Sequence, residues 1–359
     1  MSVFIALFIY LLLIKFFINS RNRKATCVLA GFGLWVVLAL RSPYCGIDLV
    51  SGASGSANYY NMFEKAMDAS ISQILNGDLT RISNMERGWL LYCKFVSLFS
   101  SQFQVFLAIT ALVQLGLIGF VFYKYSNDII LSYIVYFCFG LYIISFSGIR
   151  QSTAFSITFL SFHYLLRKKY VKFLLIVLLA TFIHNSALFF LLVLPINNIR
   201  FTPAKTRMAI LCIFLLVPYL SVIIKIIVPF LFGNRYQNYE DSGGAITLFL
   251  LYTLICSVSL KIKLQNTRDN LIRGLIIIAV ACQSLGYIST GAITRITFYY
   301  SIFFSLLFPD LIISYSNNRT RSVLSLFISL LLLEFFYLTN RDGYLNVIPY
   351  SFFWERILL

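Results

Sequence analysis

Twelve apolar segments divide this chain, at about 2–19, 25–40, 103–123, 129–147, 151–166, 173–183, 185–196, 208–228, 246–262, 273–290, 296–314 and 322–338. A helix that crosses a bilayer needs roughly 20 apolar residues at ~1.5 Å of rise each, and most of these segments qualify. Only 12% of the residues are charged and 60% are hydrophobic, too little polarity to cover a soluble core. Tyr and Trp gather where the segments end, as aromatic belts do at membrane interfaces. The expected fold class is therefore all-α: a polytopic, multi-pass integral membrane bundle of about 11–12 membrane segments. It is expected to form a single transmembrane domain over 1–359. A 42–102 extracytoplasmic loop would carry short outer-face helices, and a second loop would span 229–245.

Charge orients the segments. The net +16 comes from 29 basic and 13 acidic residues. In a soluble protein this would raise nucleic acid as a partner, but basic clusters between spans mark the cytoplasmic side instead, and no nucleic acid is expected. The clusters are Arg21–Lys24, Arg167–Lys172, Lys261–Arg273 and Arg319–Arg321. The first apolar run is followed, not preceded, by its positive charges, which is the reverse of a cleavable signal peptide, so 2–19 reads as a retained span entering from outside. The seven cysteines show no CxxC and no Cys/His zinc spacing, so neither a metal site nor a disulfide framework is expected.

His184 stands in the middle of the apolar stretch 172–196, and is one of only two histidines in the chain. An ionisable group inside a membrane segment is costly and usually faces a bundle interior or a cavity. Were 173–196 a single crossing, Lys261–Arg273 and Arg319–Arg321 would fall outside. A hairpin of two half-helices with its tip at His184-Asn185-Ser186 puts every cluster inside. Broken helices of this kind need protein or a water-filled cavity around them, so His184 is expected at the floor of a cavity open to the outer face.

This topology gathers single arginines on the outer side: Arg41 after the second segment, Arg87 in Glu86-Arg87-Gly88, Arg150 in Ser147-Gly-Ile-Arg150-Gln151, then Arg235, Arg295 and Arg341. Arg150 and Arg167 are 17 residues apart, ~25 Å along a helix, and so belong to opposite faces. A lone arginine can snorkel to a headgroup. A whole set beside short loops suits binding of phosphate or pyrophosphate through the rigid guanidinium fork. A lipid-linked pyrophosphate at the outer leaflet fits this arrangement. A pyrophosphate leaves readily once its charge is neutralised, so arginines can supply the main electrostatic term and no cofactor or metal is strictly required. An attacking hydroxyl needs a base. Histidine, titrating ordinarily near ~6.5, is the natural one, and Asp48 or Glu86 are alternatives that could also orient an acceptor.

In this order the residues resemble the EpsG/Wzy-type polysaccharide polymerases. The resemblance runs through Leu40-Arg41, Gly46-Ile-Asp48, Tyr60 and Phe63, then Glu86-Arg87-Gly88 and Ser147-Gly-Ile-Arg150-Gln151. It continues through Arg167-Lys-Lys169, Phe173, Ala180-Thr-Phe-Ile-His184-Asn-Ser186, Arg295, Tyr299 and Pro349-Tyr350. Ile47 stands where the family usually has Thr, and a Gly/Ser-rich insertion, Ser51–Ser56, follows Asp48. The resemblance implies an enzyme of a bacterial inner (cytoplasmic) membrane, working at its outer face. It would move a growing chain from undecaprenyl pyrophosphate onto a new lipid-linked repeat unit, building a surface polysaccharide such as O-antigen. Its partners would be that lipid-linked oligosaccharide, membrane lipids and a chain-length regulator protein. It also implies catalytic roles for His184, Glu86 and Asp48, and substrate binding by Arg41, Arg87, Arg150, Arg235, Arg295 and Tyr299.

Two other classes use similar parts. A lipid-oligosaccharide flippase would also use broken helices and buried arginines, but should show inverted repeats or charges through the membrane depth, and the polar set here lies on one side. A membrane O-acyltransferase would use an intramembrane histidine but leaves the arginines without a task. A ligase moving glycan onto a lipid core is the nearest neighbour chemically.

Overall fold

A computed structural model describes residues 1–18, 22–50, 58–78, 85–232, 244–286, 290–315 and 317–355. Arg21, the Ser51–Ser56 insertion, Arg235 and most of the expected 229–245 loop lie outside the described residues. Those described are overwhelmingly helical. The one β feature among them is an isolated bridge between Arg41 and Phe352. The chain divides into two compact units, residues 1–188 with 322–359, and residues 189–321.

The first unit contains α1 (Ser2–Phe17), α2 (Arg23–Ala39), α3 (Tyr59–Asp68), α4 (Ile71–Asn76), α5 (Arg87–Ser97), α6 (Phe103–Tyr125), α7 (Ile129–Cys138), α8 (Leu141–Ser147), α9 (Ile149–Leu166) and α10 (Tyr170–Ile183). Its centre is the α7–α8 pair, in which every side chain is buried. The single apolar segment expected at 129–147 is in fact bent by 55°. The bend falls at Gly140, whose φ of +84° is the left-handed conformation that glycine adopts without steric cost. Among the described residues three helices are long and apolar enough to cross a membrane: Phe103–Tyr125, Arg295–Ile313 and Asn318–Asn340. The bent pair makes a fourth, and Ser2–Phe17, Tyr170–Ile183, Asn185–Ile196 and Ile246–Lys261 are shorter apolar helices.

Apolar burial alone does not hold helices together in lipid, where close packing and interhelical hydrogen bonds drive association. Gln114 of α6 donates to the Ile149 carbonyl at 3.1 Å and to Thr153 Oγ1 at 2.9 Å, fastening α6 to α9. Tyr142 of α8 donates to the Leu34 carbonyl of α2 at 2.7 Å. Asp128 caps α7 through the Leu131 N–H and also pairs with Lys15 of α1 at 2.7 Å. The outward side of α10 shows Val171, Leu174, Leu175, Leu178, Leu179 and Phe182, an exposed apolar stripe at helical spacing. Water would not tolerate a stripe this long, and lipid acyl chains suit it.

The second unit contains α11 (Val193–Ile196), α12 (Pro203–Phe232), α13 (Gly244–Val258), α14 (Thr267–Gly286), α15 (Thr290–Ser301) and α16 (Phe304–Ile313), and α17 (Asn318–Asn340) begins at its end. Two arginines of the basic cluster Lys261–Arg273 turn inward. Arg273 donates to the carbonyls of Phe201, Ser259 and Ile262 at 2.6–3.0 Å. Arg268 pairs with Asp310 at 2.8 and 3.1 Å. The cluster expected on the cytoplasmic side also ties loop carbonyls and helix ends together.

Candidate active site

The apolar stretch 173–196 breaks where the sequence inserts His-Asn-Ser. Helix α10 ends at Ile183, and His184 takes an extended conformation, φ −153° and ψ 115°. A 3-10 segment then runs from Asn185 to Leu192. The break leaves the His184 side chain and the Asn185 N–H beside a carboxylate that belongs to a distant part of the chain. Glu86 Oε1 accepts from the Asn185 N–H at 3.1 Å and lies 3.0 Å from His184 Nδ1. Its other oxygen, Oε2, accepts from Arg150 Nη1. One carboxylate therefore holds the histidine, the broken backbone and the arginine at once.

Glu86 is placed by its helix. It is the N-cap residue of α5, and α5 packs against the end of α10. The contact is close because Gly88 has no side chain. A Cβ there would lie 2.3 Å from the Phe182 carbonyl oxygen and 2.4 Å from a Phe182 ring carbon. Gly88→Ala must push α5 away from the residue two places before His184. The cost is expected at about 1–3 kcal/mol, the usual range for overpacking. The check is a lower melting temperature together with an activity loss larger than that melting shift explains.

Arg150 opens α9 and is oriented from a second side. Its Nε donates to the Tyr59 hydroxyl at 3.3 Å, and its guanidinium sits 5.7 Å from the Tyr59 ring centroid. Tyr59 is 5% exposed and is braced edge-on by the buried Trp89 at 5.7 Å. Burial pushes the Tyr59 phenol above its ordinary value, against the opposing pull of the Arg150 charge. Asp48 joins the same group through the backbone. Its carboxylate accepts from Ser147 Oγ at 2.9 Å, and its carbonyl accepts from the Tyr59 N–H at 3.0 Å. Asp48 is exposed and Arg87 points to the surface.

The electrostatics follow from this packing. Burial alone would raise the Glu86 carboxyl. The hydrogen bond to His184 and the charge of Arg150 outweigh it and draw it down to about 2. Glu86 is thus a carboxylate at any working pH, able only to accept. His184 Nδ1 must then carry the proton of their shared bond. In the neutral ring this leaves the basic lone pair on Nε2.

The structure brings together Asp48, Glu86, Arg150 and His184 from the sequence-expected set, with Arg87 one residue from the hub. Arg41 stands differently. It is 1% exposed, donates to the carbonyls of Leu38 and Ser145, and lies 5.2 Å from the Phe146 ring centroid. Burial pulls its guanidinium down to about 10. Arg295 and Tyr299 lie on α15 of the second unit, Tyr299 buried. Neither Tyr59 nor Ser147 stood in the sequence-expected set. Ser147 was visible as the first residue of the block that contains Arg150. Among the described residues no group of three His, Cys, Asp or Glu side chains suits a metal ion.

The sequence profile of the EpsG family matches residues 24–352, nearly the whole chain, including every residue of this cluster. The chain belongs to the EpsG family. EpsG proteins are polysaccharide polymerases of the Wzy type, so the general chemistry is glycosyl transfer and the chain is a membrane protein. No curated protein and no solved structure matches it. Within this EpsG chain, the Glu86-Arg87-Gly88 block supplies the carboxylate hub and the glycine that lets it approach, and the Arg150 and His184 blocks supply the two groups the hub holds.

Proposed function

We propose that this EpsG-family chain joins undecaprenyl-pyrophosphate-linked oligosaccharide repeat units at the outer face of the bacterial inner membrane, building a surface polysaccharide such as O-antigen. The observation that supports this most is the single carboxylate, Glu86, that holds His184 and Arg150 side by side. Glycosyl transfer from a lipid pyrophosphate needs both groups. The acceptor hydroxyl oxygen bonds to the anomeric carbon of the growing chain, and the bond from that carbon to the pyrophosphate oxygen breaks. His184 Nε2 takes the hydroxyl proton. The pyrophosphate leaves with the bonding pair, and the guanidinium of Arg150 meets the developing charge. Two of the five Arg150 N–H groups are engaged by Glu86 and Tyr59, and the remaining donors are assigned to the leaving group.

Glu86 offsets one unit of the positive charge, so Arg150 cannot neutralise a pyrophosphate alone. Arg87, exposed beside it, is assigned to the same leaving group. Arg235, Arg295 and Tyr299 are assigned to the substrate on the resemblance alone, and Arg41 through the Asp48 loop it anchors. Asp48, exposed at the rim, is assigned to orienting the acceptor sugar.

The test is Arg150→Lys. Lysine keeps the charge but loses the planar fork that reaches Glu86 and Tyr59 together. In a deletion strain the variant is expected to restore little more polymer than Arg150→Ala. Polymer of wild-type length and amount from Arg150→Lys would remove the bidentate role. Unchanged polysaccharide in the deletion strain itself would remove the polymerase reading altogether.

A further inference from the structure

The loop that carries Asp48 has a second face. Residues 40–47 are paired with the segment after α17. Ser42 N–H donates to the Ser351 carbonyl, Phe353 N–H to the Leu40 carbonyl and Ile47 N–H to the Leu345 carbonyl, at 2.9–3.0 Å. Between the two strands of chain lies an open cleft of about 480 Å³, lined among others by Tyr44, Asn346, Tyr350, Ser351 and Glu355. A cleft of this size is in the range of small-ligand sites. No catalytic group of the cluster above lines it.

The lining says what chemistry suits the cleft. Its described lining holds two tyrosines, an amide, a hydroxyl and one carboxylate beside Cys45, Ile348 and Pro349. A polyol meets faces for its C–H groups and acceptors for its hydroxyls. Tyr44 is 45% exposed, so its ring is available to a ligand. Glu355 is held in place because its carboxylate accepts from the Phe352 N–H at 2.8 Å. Placement says which polyol. Cys45 lines the cleft and Asp48 joins the Arg150 cluster three residues later, a separation of at most about 11 Å even for extended chain.

Resting on the polymerase reading, we infer that this cleft is a saccharide subsite that grips the growing glycan beyond its reacting end. A grip of this kind acts only once the chain is long enough to reach it. It therefore sets how far the polymer grows and leaves the first joining step alone.

The experiment compares wild type, Tyr44→Ala, Glu355→Gln and the double variant in a deletion strain. It reads the length ladder of the polysaccharide and the amount of the first joined product. The expected result is a first product at wild-type level with the long rungs lost. In parallel, purified full-length protein is titrated with delipidated oligosaccharide from the wild-type strain's own polymer, following tryptophan fluorescence, since Trp354 neighbours Glu355. Tyr44→Ala is expected to raise Kd about tenfold, the effect of truncating an aromatic anchor. A wild-type ladder from the double variant overturns the inference, as does equal loss of first product and long rungs. Fluorescence that responds to nanodiscs of phosphatidylethanolamine and not to the oligosaccharide makes the cleft a lipid seat, and also overturns it. If Tyr44→Ala does not accumulate, the isosteric Glu355→Gln, at an exposed position, carries the test. These failures leave wild-type complementation intact, whereas failure of the polymerase reading shows in the deletion strain.

Discussion

Replacing His184 with glutamine is expected to slow polymerisation by on the order of 10²–10⁴-fold, the usual contribution of a general base. The expectation follows from Glu86. A carboxylate that stays ionised to about pH 2 fixes the proton on His184 Nδ1 and the basic lone pair on Nε2. Glutamine can still give Glu86 a hydrogen bond and so preserve the break after α10, but it cannot take a proton at neutral pH. The comparison separates catalysis from structure. Purified His184→Gln protein should melt near the wild-type temperature while its rate falls. A variant with near-wild-type turnover would pass the base role to Asp48, the exposed carboxylate of the cluster.

Glu86→Gln is expected to cost both stability and rate. The folded carboxyl titrates at about 2 against an ordinary 4.5. A carboxylate lowered in the folded state stabilises it above the unfolded value, and that contribution is lost as the pH falls from 4.5 through 2. The difference amounts to about 3 kcal/mol at neutral pH, and little is screened because the side chain is only 12% exposed. Removing the charge also leaves Arg150 partly buried without its counterion, a change that typically costs about 3–5 kcal/mol. The rate should fall by on the order of 10²–10⁴-fold as well, because a histidine without its orienting carboxylate loses its tautomer and its aim. Denaturation midpoints between pH 7 and pH 2 check the first part. Wild type should lose stability below pH 4.5, and the glutamine variant should lack that component. Parallel curves would mean that the pairing contributes nothing to folding.

Much of the fold was legible because lipid imposes a simple rule. Apolar length and basic clusters pointed to helices, and a polar His-Asn-Ser in an apolar run pointed to a break at His184, where helix α10 does end. The bend at Gly140 was not legible, since Phe139-Gly140 interrupts neither hydropathy nor length. The site was half legible. The residue types that bind pyrophosphate and move protons stood out singly, but their pairing did not. Glu86 reaches across 64 residues to Arg150 and 98 to His184, and nothing local records such distances. Tyr59 looked like one more interfacial tyrosine, yet it is the brace for Arg150. In the sequence Arg41 looked like the other single arginines beside short loops. Its burial depends on a segment some three hundred residues later, around Ser351 and Phe352, that closes over the end of α2. The inward turn of Arg268 and Arg273 was hidden in the same way, since their cluster was accounted for by orientation alone.

The contact between Gly88 and the Phe182 carbonyl sets a rule on length. Helix α10 is fixed at its far end by the turn at Lys168, whose N–H donates to the Leu165 carbonyl. Each residue added or removed between that turn and His184 would rotate the imidazole by ~100° and shift it by ~1.5 Å. Glu86 cannot follow, because α5 is already in backbone contact with α10. Variation in the lipid-facing side chains of α10 is therefore affordable, whereas a one-residue insertion or deletion there would separate the proton acceptor from its carboxylate. Relatives of this chain that keep the chemistry should differ freely in the spelling of this helix while keeping its residue count.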